Sequence, residues 1–185
     1  YNGYKVFWGD GAQVTPPYDQ KIIDAYYAQT SLGEVKYLPF ADALKMGKVV
    51  MVGEDVENAY FKAIYQKVLN PKLCQVKGEL LKIVYTPIHG SGLIPCEKAL
   101  RDTGFNNLLI VPEQAKPDGS FPTVKSPNPE NPEAMTLAVE LMKKEKADLA
   151  LGSDPDTDRL GVAFVKDGKV VYLNDNQIGT LMLHY

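Results

Sequence analysis

The 185-residue chain is 45% hydrophobic and 23% charged, with 20 Lys plus Arg against 23 Asp plus Glu and a net charge of -3. It is too apolar for disorder, too poor in Gly and Pro for a collagen-like or low-complexity chain, and lacks the ~20-residue apolar run of a membrane helix. No basic excess marks a nucleic-acid binder, and the two cysteines, Cys74 and Cys96, make no disulfide framework, which points to a reducing, cytoplasmic compartment.

In chain order, Tyr4, Val6 and Trp8 alternate with Lys5 and Phe7, which predicts a strand closed by Gly9-Asp10-Gly11. Asp19 is placed to cap a short helix carrying Ile22/Ile23 and Tyr26/Tyr27. A Gly-containing connector over 31–53 holds a candidate strand at Val49–Val52. Residues 54–69 read as a helix, with Val56, Tyr60, Phe61, Ile64, Tyr65 and Val68 at helical spacing and Pro71 after the end.

From there the pattern changes. Leu81–Tyr85, Leu108–Val111 and Asp148–Leu151 are short apolar runs. A helix ending at Gly104 separates the first two, and a Pro-rich loop over 112–129 with a second helix separates the last two. For that helix, Asn131 reads as the cap, Pro132 as the first position, and Lys143, Lys144 and Lys146 as the basic end. The order predicts an α/β fold: a βαβαβ unit with a parallel sheet between helical layers. Asp167-Gly168 between Val162–Val165 and Val170–Leu173 adds a trailing β-hairpin, and Asn174 caps a last helix.

Ligands of parallel sheets bind beyond the carboxyl ends of the strands. Three loops fall there: 86–92, 112–129 and 152–159. The third reads Ser153-Asp154-Pro155-Asp156-Thr157-Asp158-Arg159. Three carboxylates at alternate positions repel one another, and each raises its neighbours' pKa unless a positive charge neutralises them. A divalent cation does this most simply, and an all-oxygen set selects a hard ion, Mg²⁺ or Ca²⁺. Arg159 adds a fork of donors suited to phosphate. Metal plus arginine is the equipment of phosphoryl transfer.

Competing readings are a solvated acidic turn and two other motifs. An EF-hand needs Gly at its sixth position and an acid at its twelfth, where this chain has Arg159 and Val165. A dehalogenase-type phosphatase carries Asp-x-Asp after a strand, but Thr or Val stands where this chain has Asp158, and its loop follows the first strand. His89 and Ser91 do not form a Gly-x-Ser-x-Gly elbow, because His89 occupies the first glycine position. His89 reads instead as a packing or hydrogen-bonding residue of its loop. The turn lacks the Lys of a P-loop. Cys74 and Cys96 have no metal spacing, His184 reads as structural, and Tyr26, Tyr27, Tyr60 and Tyr65 read as core or domain-contact residues.

Asp154-Pro155-Asp156-Thr157-Asp158-Arg159 resembles the metal loop of the α-D-phosphohexomutases, the phosphoglucomutase/phosphomannomutase family. Tyr85-Thr86-Pro87-Ile88-His89-Gly90-Ser91-Gly92 is similar to the first strand and loop of that family's second domain. Asp118-Gly119-Ser120-Phe121-Pro122 with Pro127-Asn128-Pro129-Glu130 resembles its second loop. Asn2-Gly3-Tyr4-Lys5 running into Gly11-Ala12-Gln13 resembles the segment after its catalytic serine loop. The Thr-Pro-x-His-Gly form points to the longer, phosphoglucomutase-like branch.

The resemblance implies four domains around a cleft. It makes residues 1–50 the remnant of domain 1 and its linker, 54–165 domain 2 with the metal loop, and 166–185 the start of domain 3. The missing initial Met and the apolar end at Tyr185 agree with a piece of a longer chain. The implied parent interconverts hexose 1-phosphate and hexose 6-phosphate, of glucose or mannose. It does so through an enzyme phosphoserine, a hexose 1,6-bisphosphate intermediate and one Mg²⁺ on Asp154, Asp156 and Asp158. Arg159 then holds phosphate and Lys5 is an active-site lysine. The implied partners are a hexose phosphate and the remaining domains, with no nucleic acid or membrane. The Ser-His-Asn-Pro loop does not occur in the 185 residues. The chain alone is therefore expected to be inactive, and a non-catalytic Mg²⁺- or anion-binding module is the alternative.

Overall fold

The computed structural model describes residues 5–31, 33 and 35–185. The predicted participation of Asn2, Gly3 and Tyr4 lies outside them. The chain forms two compact units, Tyr1–Val56 and Glu57–Tyr185.

In the first unit, Phe7 bridges Gln13 in antiparallel fashion, and Trp8 N–H donates to Ala12 O at 2.8 Å and Val14 N–H to Val6 O at 2.9 Å. The expected strand is thus one arm of a tight loop. Helix α1 (Tyr18–Tyr27) starts after Pro17, so Asp19 lies in its first turn instead of capping it. There it favours the helix through the dipole. Helix α2 (Phe40–Lys45) forms inside the stretch, 31–53, that reads as a connector. Val49–Val52 forms no strand: among the described residues no partner strand pairs with it, and Val50, Met51 and Val52 are exposed. Tyr26 and Tyr27 are also exposed.

The second unit begins in α3 (Glu54–Tyr65). Pro71 opens a further helix, α4 (Pro71–Lys77), as its lack of an N–H allows at a first turn. Strands β1 (Ile83–Thr86), β2 (Leu108–Ile110) and β3 (Leu149–Ser153) are the predicted apolar runs. Helix α5 (Leu93–Asp102) joins β1 to β2; α6 (Pro112–Ala115), a loop and α7 (Thr136–Glu145) join β2 to β3. The hairpin strands are β4 (Leu160–Lys166) and β5 (Lys169–Leu173), and α8 (Asp175–His184) follows.

The sheet order is β2-β1-β3-β4-β5. The first three strands are parallel. The hairpin continues the sheet, with β4 antiparallel to β3 and β5 antiparallel to β4. At its turn Asp167 has φ 51 and Gly168 φ 74, the left-handed pair of a primed two-residue turn.

Strand periodicity builds the layers. Ile83 and Tyr85 of β1 pack with Leu108, Leu149 and Leu151 toward Cys96 and Leu100 of α5. Val84, one residue out of phase, faces the other way and packs with Ala150, Ala163 and the α7 residues Ala138, Val139 and Met142. Two opposed apolar faces on one sheet require a helix on each.

Gly104 (φ 107) ends α5 with two reciprocal bonds, Gly104 N–H to Arg101 O and Phe105 N–H to Leu100 O. That is the Schellman pattern, and its left-handed position suits glycine. α7 starts after Met135, so Asn131 and Pro132 belong to the turns before it. Asn174 caps α8 as expected, in a reciprocal box with Gln177. No helix of the described residues is long and apolar enough to cross a membrane.

Candidate metal centre

The acidic loop leaves β3 at Ser153 and returns into β4 at Leu160. Asp154 is the residue that closes it. Its Oδ1 accepts the amide hydrogens of Asp158 and Arg159, each at 3.0 Å. Thr157 N–H donates to Asp154 O at 3.0 Å, and Thr157 takes φ 65 to complete the turn. Asp154 is 2% exposed, whereas Asp156 and Asp158 reach solvent. One oxygen from each of the three carboxylates lies within 4.8 Å of the others.

The second oxygen of Asp154, Oδ2, is buried and has no hydrogen-bond partner among the described residues. Orphaned buried carboxylate oxygens are costly. Burial pushes the Asp154 carboxyl above its ordinary range; the Arg159 amide works against that shift, and the Asp156 and Asp158 charges add to it. An inward-facing oxygen without a donor, beside two more carboxylates, fits a hard divalent cation.

Neighbouring loops hold this one in place. The Tyr85 hydroxyl and Ser153 Oγ share a hydrogen bond of 2.7 Å at the base of the loop. Gly92 leaves the space for them, because a Cβ there would lie 2.6 Å from Tyr85 Oη and 2.8 Å from both Ser153 Oγ and Thr157 Oγ1. Ser91 N–H and Ser91 Oγ both donate to Pro155 O at 2.9 Å. His89, 5% exposed, meets Lys116 O through Nδ1 at 3.2 Å and Thr123 Oγ1 through Nε2 at 2.9 Å. Thr86 Oγ1 donates to the buried Gln114 at 2.7 Å, and Gln114 Nε2 donates to Thr123 at 3.0 Å. His89 therefore pins the first loop to the second, the packing role its context predicts, and Ser91 is not within its hydrogen-bonding set.

Of the predicted site residues, Asp154, Asp156 and Asp158 come together. Arg159 stands beside them, its Nε 3.9 Å from Asp158 Oδ1 and its side chain 48% exposed. Lys5 belongs to the first unit, on the wall of a cavity of about 750 Å³ shared with Val6, Val14, Ile22 and Tyr26. Sequence reading missed the supporting set of Tyr85, Gln114, Thr123 and Ser153. Thr123 sits in a loop with no local pattern, and Gln114 sits in the short helix α6 within the stretch that reads as a Pro-rich loop. Tyr85 and Ser153 sit at the carboxyl ends of two strands predicted to be parallel, a signal that was available.

Residues 58–168 match the family model for phosphoglucomutase/phosphomannomutase, alpha/beta/alpha domain II. The chain is 37% identical to the phosphoribomutase of Saccharomyces cerevisiae, over 100% of this chain and 31% of that protein. It is 33% identical to the phosphoglucomutase of Staphylococcus epidermidis, over 100% of this chain and 33% of that protein. It thus spans about a third of the length of the curated relatives it matches. The solved structure of a putative phosphomannomutase from Thermus thermophilus superposes with a TM-score of 0.53 at 26% identity, over 68% of this chain and 27% of that one. The family-model match covers β1 to β4, both flanking helices and the acidic loop, and it leaves the dehalogenase-type alternative without support. The chain belongs to the phosphoglucomutase/phosphomannomutase family.

Proposed function

We propose that the chain supplies the metal-binding domain of a Mg²⁺-dependent phosphohexomutase that interconverts hexose 1-phosphate and hexose 6-phosphate. The observation that carries the proposal is the acidic triad with its orphaned, buried Asp154 oxygen, in a chain of this family. Asp154, Asp156 and Asp158 hold the ion. When bound, the ion withdraws charge from a phosphate oxygen and so favours its transfer. Asp154 Oδ1 keeps the loop closed through its two amide bonds, which leaves Oδ2 for the ion. Arg159 offers its donors to the same phosphate, and Lys5 keeps the active-site lysine role that the family resemblance implies.

In this reading the nucleophile is a phosphoserine outside these 185 residues, and hexose 1,6-bisphosphate is the intermediate. Residues 1–50 end the domain that carries the serine, 54–165 are the metal domain and 166–185 lead into a third domain. The 185 residues alone do not turn over. The phosphoribomutase relative adds ribose 1-phosphate as a second substrate to assay.

The test is a coupled assay of the full-length protein with glucose, mannose and ribose 1-phosphates, with and without Mg²⁺, for wild type and Asp156→Ala. Mg²⁺-dependent isomerisation of a hexose phosphate, nearly abolished by the substitution, is the expected result. Full activity of Asp156→Ala would refute the metal assignment, and turnover by the 185 residues alone would refute the placement of the nucleophile.

A further inference from the structure

We infer that Ser91 is a positioning residue for the metal centre, and that the Gly90-Ser91 turn after β1 acts as a clamp presetting the acidic loop for its cation. The inference rests on the metal reading above and extends it to a residue outside the carboxylate set.

The acidic loop is a short excursion carrying three negative charges, and without its cation their repulsion favours opening. Its internal bonds all run to Asp154. They tie Thr157, Asp158 and Arg159 back to the loop's start and so enclose Pro155 and Asp156, but the Pro155 carbonyl takes no part in them. What holds that carbonyl comes from the other loop. Pro155 O accepts two hydrogen bonds from one residue, Ser91 N–H and Ser91 Oγ, both at 2.9 Å. Directly before it, Gly90 lies against the Pro155 backbone so closely that a Cβ would meet Pro155 Cα at 2.4 Å and Pro155 O at 2.8 Å. Backbone meets backbone there, so no side chain can swing aside.

Pro155 lies between the buried ligand Asp154 and the exposed ligand Asp156. Fixing its carbonyl therefore fixes how the second carboxylate stands relative to the first. Pre-ordering of this kind lowers the ordering cost of binding. Ser91 itself is exposed and belongs to neither apolar cluster. Removing its hydroxyl leaves the core intact and takes away one of the two bonds that hold Pro155.

The experiment is calorimetric titration of the full-length protein with Mn²⁺, alongside its melting temperature in EDTA, for wild type, Ser91→Ala, Ser91→Thr, Gly90→Ala and Asp156→Ala. Ser91→Ala is expected to weaken Mn²⁺ binding about three- to tenfold, the range of one lost hydrogen bond. Its EDTA melting temperature should stay within about 2 °C of wild type, as for a surface substitution. Ser91→Thr keeps the hydroxyl and should restore most of the affinity. Gly90→Ala should weaken binding more than Ser91→Ala; if it fails to fold, the serine pair still decides the question. Wild-type affinity in Ser91→Ala, with Asp156→Ala showing the expected loss, overturns the clamp alone. A wild type that binds no Mn²⁺ overturns the metal reading and the clamp with it.

Discussion

Replacing Asp154 by Asn separates a ligand from a structural carboxylate, because the two roles predict opposite signs. The amide keeps the shape and the Oδ1 acceptor that receives the Asp158 and Arg159 amides. It removes a buried charge whose second oxygen has no partner and which faces Asp156 and Asp158. A buried unsatisfied polar group costs about 1–3 kcal/mol. Recovery of about 1.5 kcal/mol corresponds to a rise in melting temperature of roughly 3–6 °C for a chain of this size. In EDTA, then, Asp154→Asn should melt above wild type. With Mn²⁺ at a hundred times the wild-type dissociation constant, wild type should gain about 2.7 kcal/mol and the variant almost nothing, so the order reverses. Scanning calorimetry in both conditions reads the crossing. A variant that melts at or below wild type in EDTA refutes the orphaned-oxygen argument, and one that Mn²⁺ stabilises as strongly as wild type refutes the ligand assignment.

The Asp154 carboxyl titrates above its ordinary value of 3.8, so its ionisation costs the metal-free fold stability above its folded pKa. That cost disappears as the pH falls through the folded pKa toward 3.8. The EDTA advantage of Asp154→Asn should shrink over this window, while Mn²⁺ affinity of wild type falls as protons compete; an advantage independent of pH would contradict the linkage. His89→Ala removes two loop-to-loop contacts and should destabilise the fold by about 1–3 kcal/mol with Mn²⁺ affinity within about twofold; a large affinity loss at unchanged stability would make His89 part of the site. Gly161→Ala places a Cβ 2.4 Å from Pro129 O and should cost about 1–3 kcal/mol in thermal or urea melts; neutrality would mean the Pro129 loop yields freely.

Much of the second unit is legible in the sequence because it is local. The apolar runs that become β1, β2 and β3 lie between turn residues, Gly104 ends α5, and Asp167-Gly168 turns the hairpin. Each depends on the backbone preferences of a few adjacent residues. The errors cluster where local signals compete. Asp19 and Asn131 have capping chemistry, but each stands off the position at which its helix begins. Val49–Val52 has strand propensity but, among the described residues, no neighbour to complete a ladder, and propensity without a partner does not make a strand.

The acidic loop shows the same division at the site itself. Alternation of Asp154, Asp156 and Asp158 with Arg159 after an apolar run makes a cation the expectation from sequence alone, since three carboxylates so close in the chain favour a counter-charge. Which one is buried, and that its Oδ2 is left without a donor, depends on the burial of Asp154 at the end of β3. Ser91 and Tyr85 reach the loop from |i−j| separations of 64 and 68 residues. Spacing along the chain determined the chemistry of the donors. Sheet order, which sets β1 beside β3 and so their carboxyl-end loops side by side, decided their surroundings, because hydrogen bonding and burial depend on neighbours in space that the local pattern does not contain.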